Sequence, residues 1–178
     1  MRALCRARLA PPNPYNASKA QPRTAFARPP GVKKNHTRTL IAAPQAVVQT
    51  LGEALRELAV EVYPGTTSEE AGAHLAKELD LIVVCYVFDD VRPYRFINRI
   101  RNESPHTRTP LVLIRALPVP LGESQEWEIR QAYKSIGVDE FLNYSQLLQE
   151  KGAAEANHAL RACVSGLLSA GSSRIRSA

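Results

Sequence analysis

The chain has 178 residues, 44% of them hydrophobic, with 23 Lys or Arg against 17 Asp or Glu, which suits one core domain of on the order of 100–150 residues plus an appendage. No apolar run approaches the roughly 20 residues that span a bilayer, and the first 30 residues hold no compact apolar segment of the secretory kind. The net charge of +6 belongs to one end, because Met1 to Arg38 carries nine Lys or Arg and no acid while the remainder carries 14 basic and 17 acidic residues, so a nucleic-acid role for the core is not expected.

Six of the 13 prolines precede Thr37, mixed with Arg, Ala and Asn. Such a stretch cannot bury enough apolar surface to offset its ordering entropy, and residues 1–37 are expected to form a disordered basic leader. A basic interaction arm, an Arg-rich targeting peptide and translated sequence upstream of the true start compete to explain it. The last is favoured, with initiation at Val32.

From Thr39 onward, short apolar runs alternate with helix-period segments, the pattern of βα units around a parallel sheet covered on both faces. The first strand, Thr39–Ala43, precedes a helix opened by Pro44 in which Val47, Val48, Leu51, Leu55 and Leu58 share a face. The second strand is Val60–Tyr63, turned by Pro64-Gly65. Thr67 and Glu70 have capping-box spacing for a helix to about Leu79 that buries Ala71, Leu75 and Ala76. The third strand, Leu81–Phe88, is apolar on both faces and therefore central. A helix from about Arg92 to Asn102 turns Phe96, Ile97 and Ile100 inward, and the strand Leu111–Leu117 follows. A loop with Pro118, Pro120 and Gly122 leads to a helix over about Ser124–Ser135, stopped by Gly137. The fifth strand is Glu140–Asn143. The last helix, about Ala153–Ser169, packs Leu160, Cys163, Val164, Leu167 and Leu168, and residues 171–178 fray.

Three cysteines, Cys5, Cys85 and Cys163, are an odd number without CxxC or Cys/His ligand spacing. That argues against a disulfide framework or zinc site and suits a reducing cytoplasm. His74, His106 and His158 are scattered and read as surface or core-edge residues. Arg92, Arg95, Arg99 and Arg101 beside Tyr94 and Phe96 read as a solvated helix face, diluted by Asp89, Asp90 and Glu103.

Five βα units of this size, with LDLIVVC in the middle, TPLVLIRA next and GVDEFLNY before the final helix, resemble the receiver domain of bacterial two-component response regulators. The resemblance spans Thr39 to about Leu168 and implies a flavodoxin-like (βα)5 doubly wound parallel sheet of strand order 2-1-3-4-5, here over residues 38–170. In that family an aspartate ending the third strand accepts a phosphoryl group and an acidic pair after the first strand holds magnesium. A hydroxyl and a lysine stabilise the developing charge. By this alignment Cys85 replaces the phosphoacceptor, Pro44-Gln45 the acidic pair, Arg115 the Ser or Thr, and Tyr144 the lysine. A thiol cannot form an acyl phosphate.

The crevice lies at the carboxyl ends of the strands, where open α/β sheets bind ligands, and Asp89, Asp90 and Arg115 are expected to meet there. An ion pair of Arg115 with an aspartate would imitate a switched-on state. Trp127, Tyr133, Phe141 and Tyr144 mark the expected partner face on the fourth helix, fifth strand and fifth helix, through which the resemblance implies signalling and dimerisation. The chain is thus read as a stand-alone degenerate receiver-like domain in bacterial signal transduction. It is expected to need no cofactor or metal, to catalyse nothing, and to contact a kinase, receptor or regulator or a second copy of itself. Two alternatives are a phosphorylatable receiver with the acceptor displaced to Asp89 or Asp90, and a ligand- or redox-sensing module built around Cys85.

Overall fold

Five short apolar runs pair side by side in one parallel sheet: β1 (Thr37–Ala42), β2 (Val60–Gly65), β3 (Leu81–Cys85), β4 (Leu111–Ile114) and β5 (Glu140–Leu142), ordered β2-β1-β3-β4-β5. The computed structural model describes residues 36–89, 93–119 and 122–175. The leader to residue 35 and the end from residue 176 lie outside the described residues, as do Asp90, Val91 and Arg92. The helices are α1 (Gln45–Leu55), α2 (Ser68–His74), α3 (Tyr94–Glu103), α4 (Glu123–Ser135) and α5 (Tyr144–Ile175). This is the flavodoxin-like arrangement.

Alternation along the strands sorts the core into two layers. Ile82 and Val84 of β3 join Leu111 and Leu113 of β4 beneath α2, α3 and α4, with Ala71, Phe96, Ile97, Ile100 and Tyr133. Leu81, Val83 and Cys85 face the other way with Val112 and Ile114, covered by α1 and α5 through Leu51, Leu55, Leu160 and Val164. Every residue of β3 and β4 is buried, as a strand covered on both faces requires.

Several element boundaries differ from the sequence-based expectation. β1 begins at Thr37, which pairs with Val60 of β2, so the sheet starts before Thr39. β2 runs on through Pro64-Gly65, because Ala43 N–H donates to Gly65 O at 3.0 Å. Proline is tolerated there since β2 is an edge strand. β3 stops at Cys85 and β4 at Ile114; one further backbone bond, Tyr86 N–H to Ile114 O at 2.8 Å, ends the β3–β4 pairing.

α2 ends at His74 and leaves Ala76 exposed. A side chain from far along the chain takes over: His106 Nε2 lies 3.2 Å from Leu75 O and 2.9 Å from Lys77 O. It occupies carbonyls that a longer helix would have used. Thr67 accepts from Glu70 N–H as predicted, but the Glu70 carboxylate reaches back to Thr66 N–H and Oγ1, one residue beyond the N-cap that a reciprocal box would use.

α5 consists of two helical stretches that meet at Gly152, whose φ of 82° only glycine adopts freely: the one from Ala153 begins where expected, and it is preceded by an additional stretch from Tyr144. Asn143 initiates this first stretch, its Oδ1 accepting from Gln146 N–H at 3.2 Å. Asn143-x-x-Gln146 is a capping-box spacing that the sequence displays. Gly137, at φ 96°, ends α4 as predicted.

At the amino ends of β4 and β5, Arg101 is half-buried and held by the protein rather than part of a solvated face. Its guanidinium donates to Gly137 O, His106 O, Thr109 O and Asp139 Oδ2 at 2.7 to 3.0 Å. Asp139 Oδ2 also accepts from Leu111 N–H. One side chain thereby ties α3 to the entry of two strands, while Arg95 and Arg99 are exposed as expected.

Candidate functional site

The carboxyl ends of the strands gather the residues that the sequence singles out, held by the sheet register. Cys85 closes β3 opposite Ile114 of β4, and Ala42 of β1 faces Val84. Arg115 follows directly, its N–H on Leu142 O and its own carbonyl accepting from Ser145 N–H, both at 2.9 Å. The crevice floor is thus a continuous hydrogen-bonded surface.

Cys85 is fully buried. Burial pushes its thiol pKa up, against the opposing influence of the nearby backbone N–H groups of Val87, Ala116 and Tyr86. Desolvation disfavours the thiolate, the nucleophilic form, so this position suits packing better than redox chemistry. Cys163 is pushed up to about 11 by burial and by the charge of Glu140.

At the end of β1, Pro44 occupies the N-cap position of α1 and its carbonyl accepts from Val47 and Val48 N–H. Gln45 is exposed, on the rim of an open concavity of about 460 Å³ shared with Pro64, Thr66, Glu70, Ala73 and His74. Neither residue offers a carboxylate to a cation. Among the described residues no group of three His, Cys, Asp or Glu side chains has a metal-holding arrangement.

Arg115 and Asp89, expected to meet, each have another partner. Arg115 is 9% exposed and donates through Nη1 to Glu126 Oε2 at 2.9 Å and through Nη2 to Val119 O at 2.5 Å. Glu126 Oε2 also accepts from Asn143 Nδ2 at 2.7 Å, and Asn143 Nδ2 reaches Gln146 Oε1 at 2.6 Å. Asp89 instead accepts from Ser68 N–H at 2.9 Å, capping α2 from the neighbouring loop. Hydrogen bonding from the Ser68 side chain and then its backbone N–H lowers the Asp89 pKa, and the residue sits in the left-handed region at φ 55°. Asp90 lies outside the described residues. Sequence reasoning missed Glu126 and Asn143: the first has no motif, whereas the second is visible through its capping spacing.

Tyr144 turns away from the crevice into the layer between the sheet and α5. It is 2% exposed and its hydroxyl donates to Asn157 Oδ1 at 2.6 Å. Tyr133 and Phe141 are also buried, Tyr133 edge-on to Tyr86 and Phe141 beneath the guanidinium of Arg130. Of the four aromatics expected on the partner face, Trp127 alone is solvent-facing, at 64% exposure. The other three are core because each sits on the inward side of its element.

Solved structures share this architecture. The chain is similar to the signal receiver domain of an HD domain-containing protein from Pseudomonas fluorescens, at 16% identity over 82% of this chain and 96% of that one, with a TM-score of 0.61. It is similar to a CheY-like response regulator receiver domain protein from Methanospirillum hungatei, at 11% identity over 78% and 98%, with a TM-score of 0.60. It also resembles the phosphorylated cyanobacterial phytochrome response regulator RcpA, at 18% identity over 76% and 96%, with a TM-score of 0.59. The fold is that of response-regulator receiver domains. No family model and no curated protein sequence matches the chain.

Proposed function

We propose that this chain is a degenerate receiver-like domain that signals by binding another protein and lacks the aspartyl-phosphate machinery. The observation that carries this reading is Cys85: the residue closing the central strand at the crevice is a fully buried thiol whose pKa is raised. Phosphoryl transfer to protein here needs a carboxylate nucleophile, a cation held by oxygen ligands and a free cationic group. Pro44 and Gln45 supply no anionic oxygen, Arg115 is neutralised by Glu126, and the Tyr144 hydroxyl is engaged with Asn157. Acceptance at Asp89 is disfavoured because its carboxylate is committed to capping α2. Incubation with a small-molecule phosphodonor and magnesium is expected to leave the intact mass unchanged. A phosphoryl adduct on Asp89 or Asp90 would overturn the reading.

The contact surface centres on Trp127, a large exposed aromatic of the kind that anchors interfaces. A kinase, receptor or regulator of the cytoplasm fits, and a second copy of the chain across α4, β5 and α5 is the other form the contact takes. Among the described residues no helix is long and apolar enough to cross a membrane. Trp127→Ala is expected to change stability by less than ~0.5 kcal/mol, as for other exposed sites. The same change should abolish capture of a partner from lysate or, for the homodimer, shift sedimentation to the monomer. Undiminished capture and association in that variant would remove Trp127 from the interface.

A further inference from the structure

The first half of α4 is held by charge where apolar packing is thin. Tyr133 is the one buried residue among the described side chains of α4, and between Gly122 and Ile129 none is buried. In this poorly packed stretch Glu126 reaches inward to two desolvated donors, Arg115 at 9% exposure and Asn143 at 8%. Both donors are fixed from elsewhere. Arg115 follows β4 in the sheet and also grips Val119 O in the loop leading to α4, and Asn143 caps α5. A fourth group, Arg130 Nη2, lies 3.7 Å from Glu126 Oε1, one turn along the helix.

We propose that Glu126, Arg115 and Asn143 form a built-in clamp that sets α4 against the strand ends, and with it the orientation of Trp127, without metal ion or phosphoryl group. For its biological consequence the clamp rests on the reading of Trp127 as a partner contact: the binding surface is then held constantly in one arrangement. The physical reason is the burial of Arg115. Removing the carboxylate leaves a guanidinium nine-tenths out of water with no counter-ion, which is costly enough to move a helix that few apolar contacts restrain.

The test uses the full chain without partner, comparing wild type, Glu126→Gln, which keeps the shape and removes the charge, Arg115→Met and the double variant. Hydrogen exchange is followed by fragment, with acrylamide quenching of Trp127, the chain's single tryptophan. Each single change is expected to speed exchange of residues 123–130 by roughly tenfold or more and to increase quenching, with β1 and β3 unaffected. The double variant should be no worse than the more severe single variant, since the two residues act as a pair. Wild-type exchange and quenching in both single variants would overturn the clamp. So would acceleration spread equally over β1 and β3, which marks general destabilisation, or effects that simply add. If Arg115→Met does not fold, the isosteric Glu126→Gln alone decides. Because Trp127 is read without partner, failure of the clamp leaves the interface reading standing. Loss of partner capture with an intact clamp would count against the interface reading alone.

Discussion

Arg101→Ala is expected to cost roughly 3 kcal/mol of unfolding free energy, the lower end of the range for removing one partner of a buried ion pair, since Asp139 is 30% exposed. The side chain is 11% exposed, and from α3 its guanidinium serves four acceptors on two segments, the loops before β4 and β5. Its loss strands the carbonyls of Gly137 and Thr109, leaves His106 O with only Thr109 N–H, and leaves the Asp139 carboxylate with Leu111 N–H. Stacked against the stability of ordinary domains, about 5–15 kcal/mol, that loss is a large fraction. Urea denaturation measures it. Asp139→Asn should cost less, because its amide oxygen can still accept from Leu111 N–H, and the double variant should fall well short of the sum. A loss under about 1 kcal/mol for Arg101→Ala would mean that water replaces the guanidinium at little cost. All of these contacts sit at the amino ends of the strands, opposite the crevice, so partner binding by the folded fraction should be unchanged.

The second large effect is expected at His106, and it is pH-dependent. The ring is 5% exposed, with Nε2 facing two carbonyls and Nδ1 3.0 Å from Thr109 Oγ1. Carbonyls only accept, so Nε2 carries the proton and Nδ1 accepts from the hydroxyl: the neutral ring is fully satisfied. Desolvation lowers its pKa below 6.5, outweighing the two carbonyls that favour the cation, and Arg101 adds repulsion. A histidine whose folded pKa is depressed takes up its proton first in the unfolded chain. Its contribution is therefore complete above about pH 6.5, where the unfolded chain is also neutral, and is lost as pH falls through that value toward the folded pKa. Urea midpoints should fall between pH 7.5 and 5.5. His106→Ala should cost about 2 kcal/mol at pH 7.5, for the lost ring contacts and the uncapped end of α2, and should flatten this pH dependence. An equally steep dependence in the variant would assign the effect to other groups.

Much of the architecture is legible in the residues. The run Leu81–Cys85 is apolar at successive positions, which only a strand covered on both faces tolerates, and that places it at the centre of the sheet. Gly137 as the stop of α4 and Thr67 as the cap of α2 follow from local chemistry, and both occur. The stretch of α5 before Gly152 is equally legible, since Asn143 and Gln146 stand at capping distance, although the stronger apolar repeat begins at Ala153. Local rules could not anticipate the end of α2. The residue that terminates it, His106, comes from 31 positions away and meets Leu75 only because the sheet brings the loop before β4 beside the end of α2.

The candidate site divides along the same line. The sequence by itself determined which side chains stand at the carboxyl ends of the strands, because alternation and strand order assign Pro44, Gln45, Cys85 and Arg115 to the crevice wherever the sheet forms. It also determined that a thiol, Cys85, stands at the end of the central strand. Only the tertiary structure decided what each charge touches. Arg115 could have paired with Asp89, but the loop after β3 turns that carboxylate to Ser68 N–H, while α4 presents Glu126. The same holds for the aromatics: Trp127 and Tyr133 lie on one helix six residues apart, which is not a repeat of 3.6, so one faces the core and the other faces water. Partner choice among charges and the inward or outward side of a helix are set by what packs beside it, and that is information no single segment contains.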